Sequence, residues 1–273
     1  MIDLHTHYIP DWDDGSRSME DSLKMCEKAK ADGITDVVLT PHLYRATLHG
    51  DDLQLLDERY AEFIEKTAST GLRFHRGAEV FAVHNIVDLA RDHAAVRLGG
   101  SSYVLVEFAV NSIPPQARDM IYQMQLAGFT PVIAHPERNT AFQQRPERLF
   151  ELVRLGALAQ VTAQSLTGAF GPEAKEAVTH FLEQRWVHVI ASDTHSLNRR
   201  EPVLSKGLQV AVTIVDEDVA QMMVEDVPRA ILQDEGIPDV GEPIEPKPSR
   251  RLRIPVPSFL KKLGHRGEAD EEV

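Results

Sequence analysis

His5-Thr6-His7 near the start of the chain and Asp193-Thr194-His195 far along it each place two metal-binding side chains one residue apart. Alternate residues at the end of an extended strand point the same way, so each pair can offer both donors to one ion. His42, Glu79, Glu107 and His135 stand between the two pairs, each just after a short apolar run. One histidine at a strand end usually packs against the rim, but eight polar residues in the same register do not. Asp13-Asp14-Gly15 follows the first pair; it either forms a plain turn or sends one carboxylate inward. Counting Asp14 gives nine donors, too many for one tetrahedral zinc and suited to two or three divalent ions that share a bridging carboxylate. Arginines stand beside them: Arg138 three residues after His135, and Arg199-Arg200 after the second pair. Guanidinium binds phosphate bidentately, so a multinuclear site flanked by arginines points to phosphoester hydrolysis.

Seven short β-branched runs position these residues: 2–4, 35–40, 73–78, 103–107, 131–134, 157–161 and 188–191. Segments of helical period alternate with them, the pattern of βα units around a parallel sheet, and seven such units predict a barrel. The candidate donors all follow the C-terminal ends of strands, which in a parallel barrel converge on one mouth. Helices are predicted from the cap at Ser18 to the stop at Gly33, over 51–70 before Gly71, over 114–127 before Gly128, over 146–154 and 172–184, and across 204–233. Cys26 falls on the apolar face of the first helix and reads as core. His49, His75, His84, His93, His180, His188 and His265 have no such register and read as structural or surface residues.

The chain has 273 residues, 42% of them hydrophobic, and a formal net charge of −13. That balance repels nucleic-acid phosphates over most of the surface, so no nucleic-acid partner is expected. The single cysteine excludes an intrachain disulfide, a thiolate zinc knuckle and an iron–sulfur cluster. The opening residues show neither a basic nor an apolar leader region, and no apolar run approaches the roughly 20 residues that cross a bilayer, which together predict a cytoplasmic address. From Ile237 prolines crowd in, Lys247, Arg250, Arg251, Arg253, Lys261, Lys262 and Arg266 form a basic block, and Glu268, Asp270, Glu271 and Glu272 follow. The expected organisation is one catalytic domain over 1–236 and a disordered tail over 237–273, which offers a peripheral contact to an anionic membrane or a partner.

Taken together, His5-Thr6-His7, Asp13-Asp14-Gly15, Thr40-Pro41-His42, Gly77-Ala78-Glu79, Glu107, Ala134-His135-Pro136-Glu137-Arg138 and Ser192-Asp193-Thr194-His195 resemble the PHP (polymerase and histidinol phosphatase) superfamily. The opening through Asp-Asp-Gly is similar in particular to the bacterial capsule-type, CpsB/YwqE-like manganese-dependent protein-tyrosine phosphatases. The resemblance covers roughly residues 1–235 and implies a distorted (β/α)7 barrel with three divalent ions, manganese first, with iron, zinc or magnesium as alternatives. It implies that His5, His7, Glu79 and Asp193 hold one ion, Glu79, Glu107 and His135 a second, and Asp14, His42 and His195 a third. Arg138 and Arg200 would contact phosphate, Arg200 by its spacing of seven from Asp193, with Arg199 adjacent. The implied reaction is in-line attack of a metal-bridging hydroxide on phosphotyrosine without a phosphoenzyme. The Cys-x5-Arg loop of cysteine-dependent phosphatases is absent, since Asp32 stands six residues after Cys26. The implied partner is the phosphorylated tail of a membrane-associated bacterial tyrosine kinase that controls capsule or exopolysaccharide synthesis, met at the inner face of the membrane. Two other readings compete: a PHP phosphoesterase for a small ester such as histidinol phosphate, and a non-catalytic metal-bound scaffold.

Overall fold

β-branched and apolar residues dominate the runs that become strands, and amphipathic segments ended by glycine become the helices between them. A computed structural model describes residues 1–43 and 50–246 of the chain. Among these lie nine strands, β1 (Ile2–Thr6), β2 (Asp36–Leu39), β3 (His42–Leu43), β4 (Arg73–Arg76), β5 (Glu79–Phe81), β6 (Tyr103–Glu107), β7 (Thr130–Ala134), β8 (Leu158–Thr162) and β9 (Val189–Ala191). Every pairing is parallel, in the orders β1-β2-β4 and β3-β5-β6-β7-β8-β9. β3 resumes β2 after Thr40-Pro41, and β5 resumes β4 after Gly77-Ala78, so the nine strands form seven staves. Both breaks have local causes. Pro41 offers no N–H to a ladder, and a Cβ at Gly77 would lie 2.9 Å from Val38 Cγ1, so only glycine lets these two staves approach. A bridge between Thr6 and Thr194 joins the first stave to the last. The seven expected runs are thus the seven staves of a distorted (β/α)7 barrel.

Strand parity divides the apolar residues. Ile2, Leu4, Val38, Leu105, Val132, Leu158 and Val189 fill the lumen, while Val37, Val104, Ile133, Val161 and Ile190 pack outward under the helices. The helices are α1 (Met19–Ala31), α2 (Gly50–Thr67), α3 (Ile86–Asp92), α4 (Ala117–Leu126), α5 (Thr140–Gln144), α6 (Glu147–Arg154), α7 (Ala163–Thr167), α8 (Pro172–Glu183), α9 (Ser205–Ala211), α10 (Glu217–Met222) and α11 (Asp226–Leu232). Ser18 caps α1 by accepting from the Asp21 amide at 3.1 Å, and Met25, Cys26 and Ala29 are buried beneath it. α11 plugs the N-terminal end of the barrel: Val227 and Ile231 join the lumen cluster, and the Tyr103 hydroxyl donates to the Glu235 carbonyl at 2.7 Å.

The helix predictions need three corrections. α4 starts at Ala117 instead of residue 114, because Pro115 disfavours helical geometry at Pro114. The span 204–233 divides into α9, α10 and α11, and the β-branched run Val212-Thr213-Ile214-Val215 sits in the first break. α3, α5 and α7, each of seven residues or fewer, were not anticipated. Beyond α11 the expected domain boundary at 236/237 falls before the described packing ends. Val240 is buried as a member of the lumen cluster, the Trp186 indole donates to the Ile244 carbonyl at 3.0 Å, and the Ile244 amide donates to the Gln184 carbonyl at 2.9 Å. The basic block, the acidic end, His49 and His265 lie outside the described residues.

Candidate metal centre

The first ligand pair depends on an irregularity in β1. Leu4 faces the lumen, so strict alternation would turn His5 outward, but the register against β2 slips by one residue between Asp3 and Thr6. This bulge turns His5 to the same side, where its Nδ1 lies 2.8 Å from Gln160 Oε1 on β8. His7 leaves the strand beside it, the two Nε2 atoms 3.1 Å apart.

His42 from β3, Glu79 from β5, Glu107 from the end of β6, His135 after β7, and Asp193 and His195 after β9 converge on the same point. Glu79 Oε2 sits 3.1 Å from His5 Nε2, 3.4 Å from His7 Nε2 and 2.9 Å from His42 Nδ1, while Glu79 Oε1 meets His135 Nε2 at 2.9 Å. Asp193 Oδ1 lies 3.4 Å from His5 Nε2 and 3.5 Å from His7 Nε2. The exposed Asp14 reaches His195 Nε2 at 3.2 Å and His42 Nε2 at 3.4 Å. Donor atoms of four groups, His7-Asp14-His42-His195, His5-His7-Asp193, His5-Glu79-His135 and His42-Glu79-Glu107, each lie within 4.8 Å of one another. All nine residues picked out by spacing are therefore gathered at one mouth. His135 and Asp193 occupy left-handed backbone, at φ 33° and 52°, a conformation that costs non-glycine residues roughly 1–2 kcal/mol each.

The electrostatics follow from this crowding. Burial opposes ionisation of Glu79, yet His5, His135 and His42 outweigh it and hold the carboxyl well below its ordinary range. Asp193 is likewise depressed against burial, by His5, Arg200, His7 and Arg138. Burial and the neighbouring Glu79 charge push Glu107 up to about 7, and burial with the His7 charge pushes His195 down to about 4. Buried Glu79 Oε2 and Asp193 Oδ1 make no hydrogen bond among the described residues. Buried acceptors of this kind, ringed by imidazole nitrogens, fit divalent cations far better than a network of shared protons.

Both arginines take the places predicted beside the donors. Arg138 Nη1 and Arg200 Nη2 pair with Asp193 Oδ2, and Arg200 Nε donates to the Asp193 carbonyl at 3.1 Å. Arg200 rather than Arg199 is thus the residue turned inward. The Arg138 guanidinium also covers the Phe170 ring, 4.3 Å from its centroid.

Sequence reading missed the supporting residues. Asp13 accepts from His7 Nδ1 at 2.8 Å and from the His42 amide at 3.0 Å, so both carboxylates of the Asp13-Asp14 pair face inward, one orienting a ring and one joining the cluster. Gln160 orients His5 in the same way. Its only sequence signal is a polar residue at a lumen position of an otherwise apolar strand. Glu137 points away and accepts from the Thr162 amide at 3.0 Å and the Ser165 hydroxyl at 2.6 Å, which fixes the start of α7. His75, His188 and Cys26 lie apart from the mouth, as expected. His75 pairs with Asp36, His188 accepts from the Ala159 amide, and Cys26 is in the core.

Residues 1–233 match the model of the CpsB/CapC family of capsular polysaccharide synthesis. The chain belongs to the CpsB/CapC family. CapC of Staphylococcus aureus is 33% identical over 210 residues, 76% of this chain and 82% of that one. The tyrosine-protein phosphatase YwqE of Bacillus subtilis is 29% identical over 254 residues, 92% of this chain and 98% of the relative. Among solved structures, the crystal structures of YwqE and of CpsB from Streptococcus pneumoniae, metal-dependent tyrosine phosphatases, match with a TM-score of 0.78 at 29% identity, covering 90% of this chain and 100% of the other. The imidazole–carboxylate groups found among the described residues all lie at the mouth.

Proposed function

We propose that this CpsB/CapC protein is a metal-dependent protein-tyrosine phosphatase, and that its substrate is the phosphotyrosine tail of a membrane-associated bacterial kinase controlling capsule or exopolysaccharide synthesis. The observation that carries the reaction is the meeting of two arginines on Asp193 at the edge of the imidazole–carboxylate cluster. Guanidinium forks fixed at that edge offer donors to the non-bridging oxygens of a phosphate monoester. The names of the relatives supply the phosphotyrosine.

Three manganese ions are the proposed complement, held by His5, His7, Glu79 and Asp193, by Glu79, Glu107 and His135, and by Asp14, His42 and His195. Divalent ions there supply Lewis acidity toward phosphoryl oxygen, a nucleophile at neutral pH and compensation for the leaving phenolate. Asp13 and Gln160 hold the His7 and His5 rings in one orientation, which presents their Nε2 atoms inward. Arg138, braced on Phe170, and Arg200 orient the phosphate and meet the charge that grows on it. Cys26 takes no part, because burial raises its thiol to about 12. Among the described residues no helix is long and apolar enough to cross a membrane, which suits an enzyme that works on the cytoplasmic side and touches the bilayer only through its basic end.

Hydrolysis of para-nitrophenyl phosphate and a phosphotyrosine peptide by metal-stripped protein, before and after manganese and with vanadate present or absent, tests the assignment. Manganese-restored peptide turnover that vanadate barely inhibits is expected. Turnover of histidinol phosphate at least a hundredfold better would move the substrate to a small ester, and binding without any turnover would leave a scaffold.

A further inference from the structure

A cavity of about 480 Å³ opens beside the metal centre, lined by Asp14, Arg17, Asp21, His195, Arg199 and Arg200 among others. We propose that it is a second anion subsite, which takes an acidic side chain or a second phosphate lying next to the scissile phosphotyrosine of the substrate peptide. The proposal rests on the phosphatase reading and adds to it what the enzyme recognises around the target residue.

The inner end of the cavity is shared with the cluster, since His195 and Asp14 face each other at 3.2 Å there and Arg200 reaches Asp193. A peptide anchored by its phosphate therefore extends its neighbouring residues into this space. The charges differ in commitment. Arg200 is occupied by Asp193, and Asp14 by His195 and His42. Arg17 and Arg199, both exposed, make no side-chain ion pair among the described residues, and Asp21 is the one lining acid that likewise makes none. On a chain of net charge −13, two arginines without an ion pair against one such acid leave this concavity a small local excess of positive charge beside the reaction centre.

Both walls are fixed to the scaffold of the ligands. The Arg200 carbonyl accepts from the His195 and Ser196 amides at 3.0 and 3.1 Å and from the Thr194 hydroxyl at 2.7 Å, and Lys28 clamps the Leu197 carbonyl at 2.9 Å. Opposite, the Ser16 amide donates to the His7 carbonyl at 3.1 Å, and a Cβ at Gly15 would lie 2.3 Å from that same oxygen. Arg17 and Arg199 are thus carried by backbone that is itself bonded to the segments of His7 and His195. Such preorganisation lowers the ordering cost of binding.

The test compares three phosphotyrosine peptides that differ only beside the phosphotyrosine, carrying glutamate, phosphoserine or glutamine there, on the manganese-loaded wild-type protein and on the Arg17→Gln/Arg199→Gln double variant. The readout is the ratio of kcat/KM between the anionic and the glutamine peptides within each protein, with thermal unfolding checked alongside. The wild type is expected to favour an anionic neighbour roughly five- to tenfold at low salt, and the double variant to lose the preference through KM. The glutamate and phosphoserine arms decide which anion the site prefers. Arg199→Glu should disfavour both. Equal ratios in wild type and variant, or no preference in the wild type, overturn the subsite. Fluorescence anisotropy with the same labelled peptides reads the preference without turnover. Discrimination without hydrolysis would sink the phosphatase reading and leave the subsite standing, whereas hydrolysis without discrimination would do the reverse.

Discussion

The two ends of the barrel use the same side chains to opposite effect. At the N-terminal floor Asp36, the first residue of β2, accepts from Arg73 Nε at 2.8 Å and meets His75 Nε2 at 3.1 Å, while Arg73 itself is 67% exposed. At the C-terminal mouth Asp193 and five histidines are buried together with the half-buried Arg138 and Arg200 at their edge, and buried acceptors are left over. Aspartate, arginine and histidine at the floor satisfy one another beside water and make an ion pair. The mouth differs by burial and by carboxylate oxygens left without hydrogen bonds among the described residues and ringed by imidazole nitrogens, a donor set that suits a divalent cation.

The sharpest way to break this comparison is at the mouth. Asp193→Asn or His5→Ala should lower hydrolysis of para-nitrophenyl phosphate by roughly 10³-fold and reduce bound metal, measured by turnover and elemental analysis. Full activity with a full metal complement in either variant would remove the mouth from the chemistry. Next in size is a floor effect that pH exposes. Burial holds His188 down at about 4, against the ordinary 6.5 of an unfolded histidine. Above pH 6.5 both states are neutral, but as pH falls from 6.5 to 4 the unfolded chain takes a proton that the folded one refuses. Stability is then lost, by about 3 kcal/mol in all. Denaturant unfolding of wild type and His188→Gln across that window should converge as pH falls, and parallel curves would refute the assignment. Asp13→Asn should weaken metal affinity roughly 10–100-fold through misorientation of His7, with the fold unchanged, as read by metal titration and far-UV circular dichroism. The smallest effect belongs to neither end: Cys26→Ser, in the core under α1, should leave kcat unchanged well below the melting temperature. Loss of turnover in a folded Cys26 variant would bring a thiol mechanism back.

The contrast also explains what could be read from residues alone. Polar residues after apolar runs mark strand ends, and parallel βα order sends strand ends to one rim, so His5, His42, Glu79, Glu107, His135 and Asp193 were legible together. The seven staves were legible for the same reason, although Pro41 and Gly77 cut two of them in ways that periodicity does not register. Other features depend on three-dimensional closure. The bulge that turns His5 inward is a register between strands, and the division of work between Asp13 and Asp14 depends on a turn whose direction Ser16 and the His7 carbonyl set. The left-handed backbone at His135 and Asp193 falls on residue types that adopt it more readily than most, but the chain's many other aspartates and histidines share that tendency, so propensity does not single these two out. Arg17 carries no signal in the sequence because the cavity that it shares with Arg199 forms between segments far apart in the chain.

The bridge between Thr6 and Thr194 has a temporal side. The Asp3 carboxylate accepts from the Ser192 amide across a separation of 189 residues, and His5 and His7 meet Asp193 across nearly as long a gap. At roughly 5–20 residues per second, a ribosome takes on the order of 10–40 s to make the chain between them. Through that interval His5 and His7 stand without Asp193, and closing so long a loop comes late in folding. The cluster at the mouth is therefore completed only once the ring has shut, with Asp193 and His195 the last of its side chains to arrive.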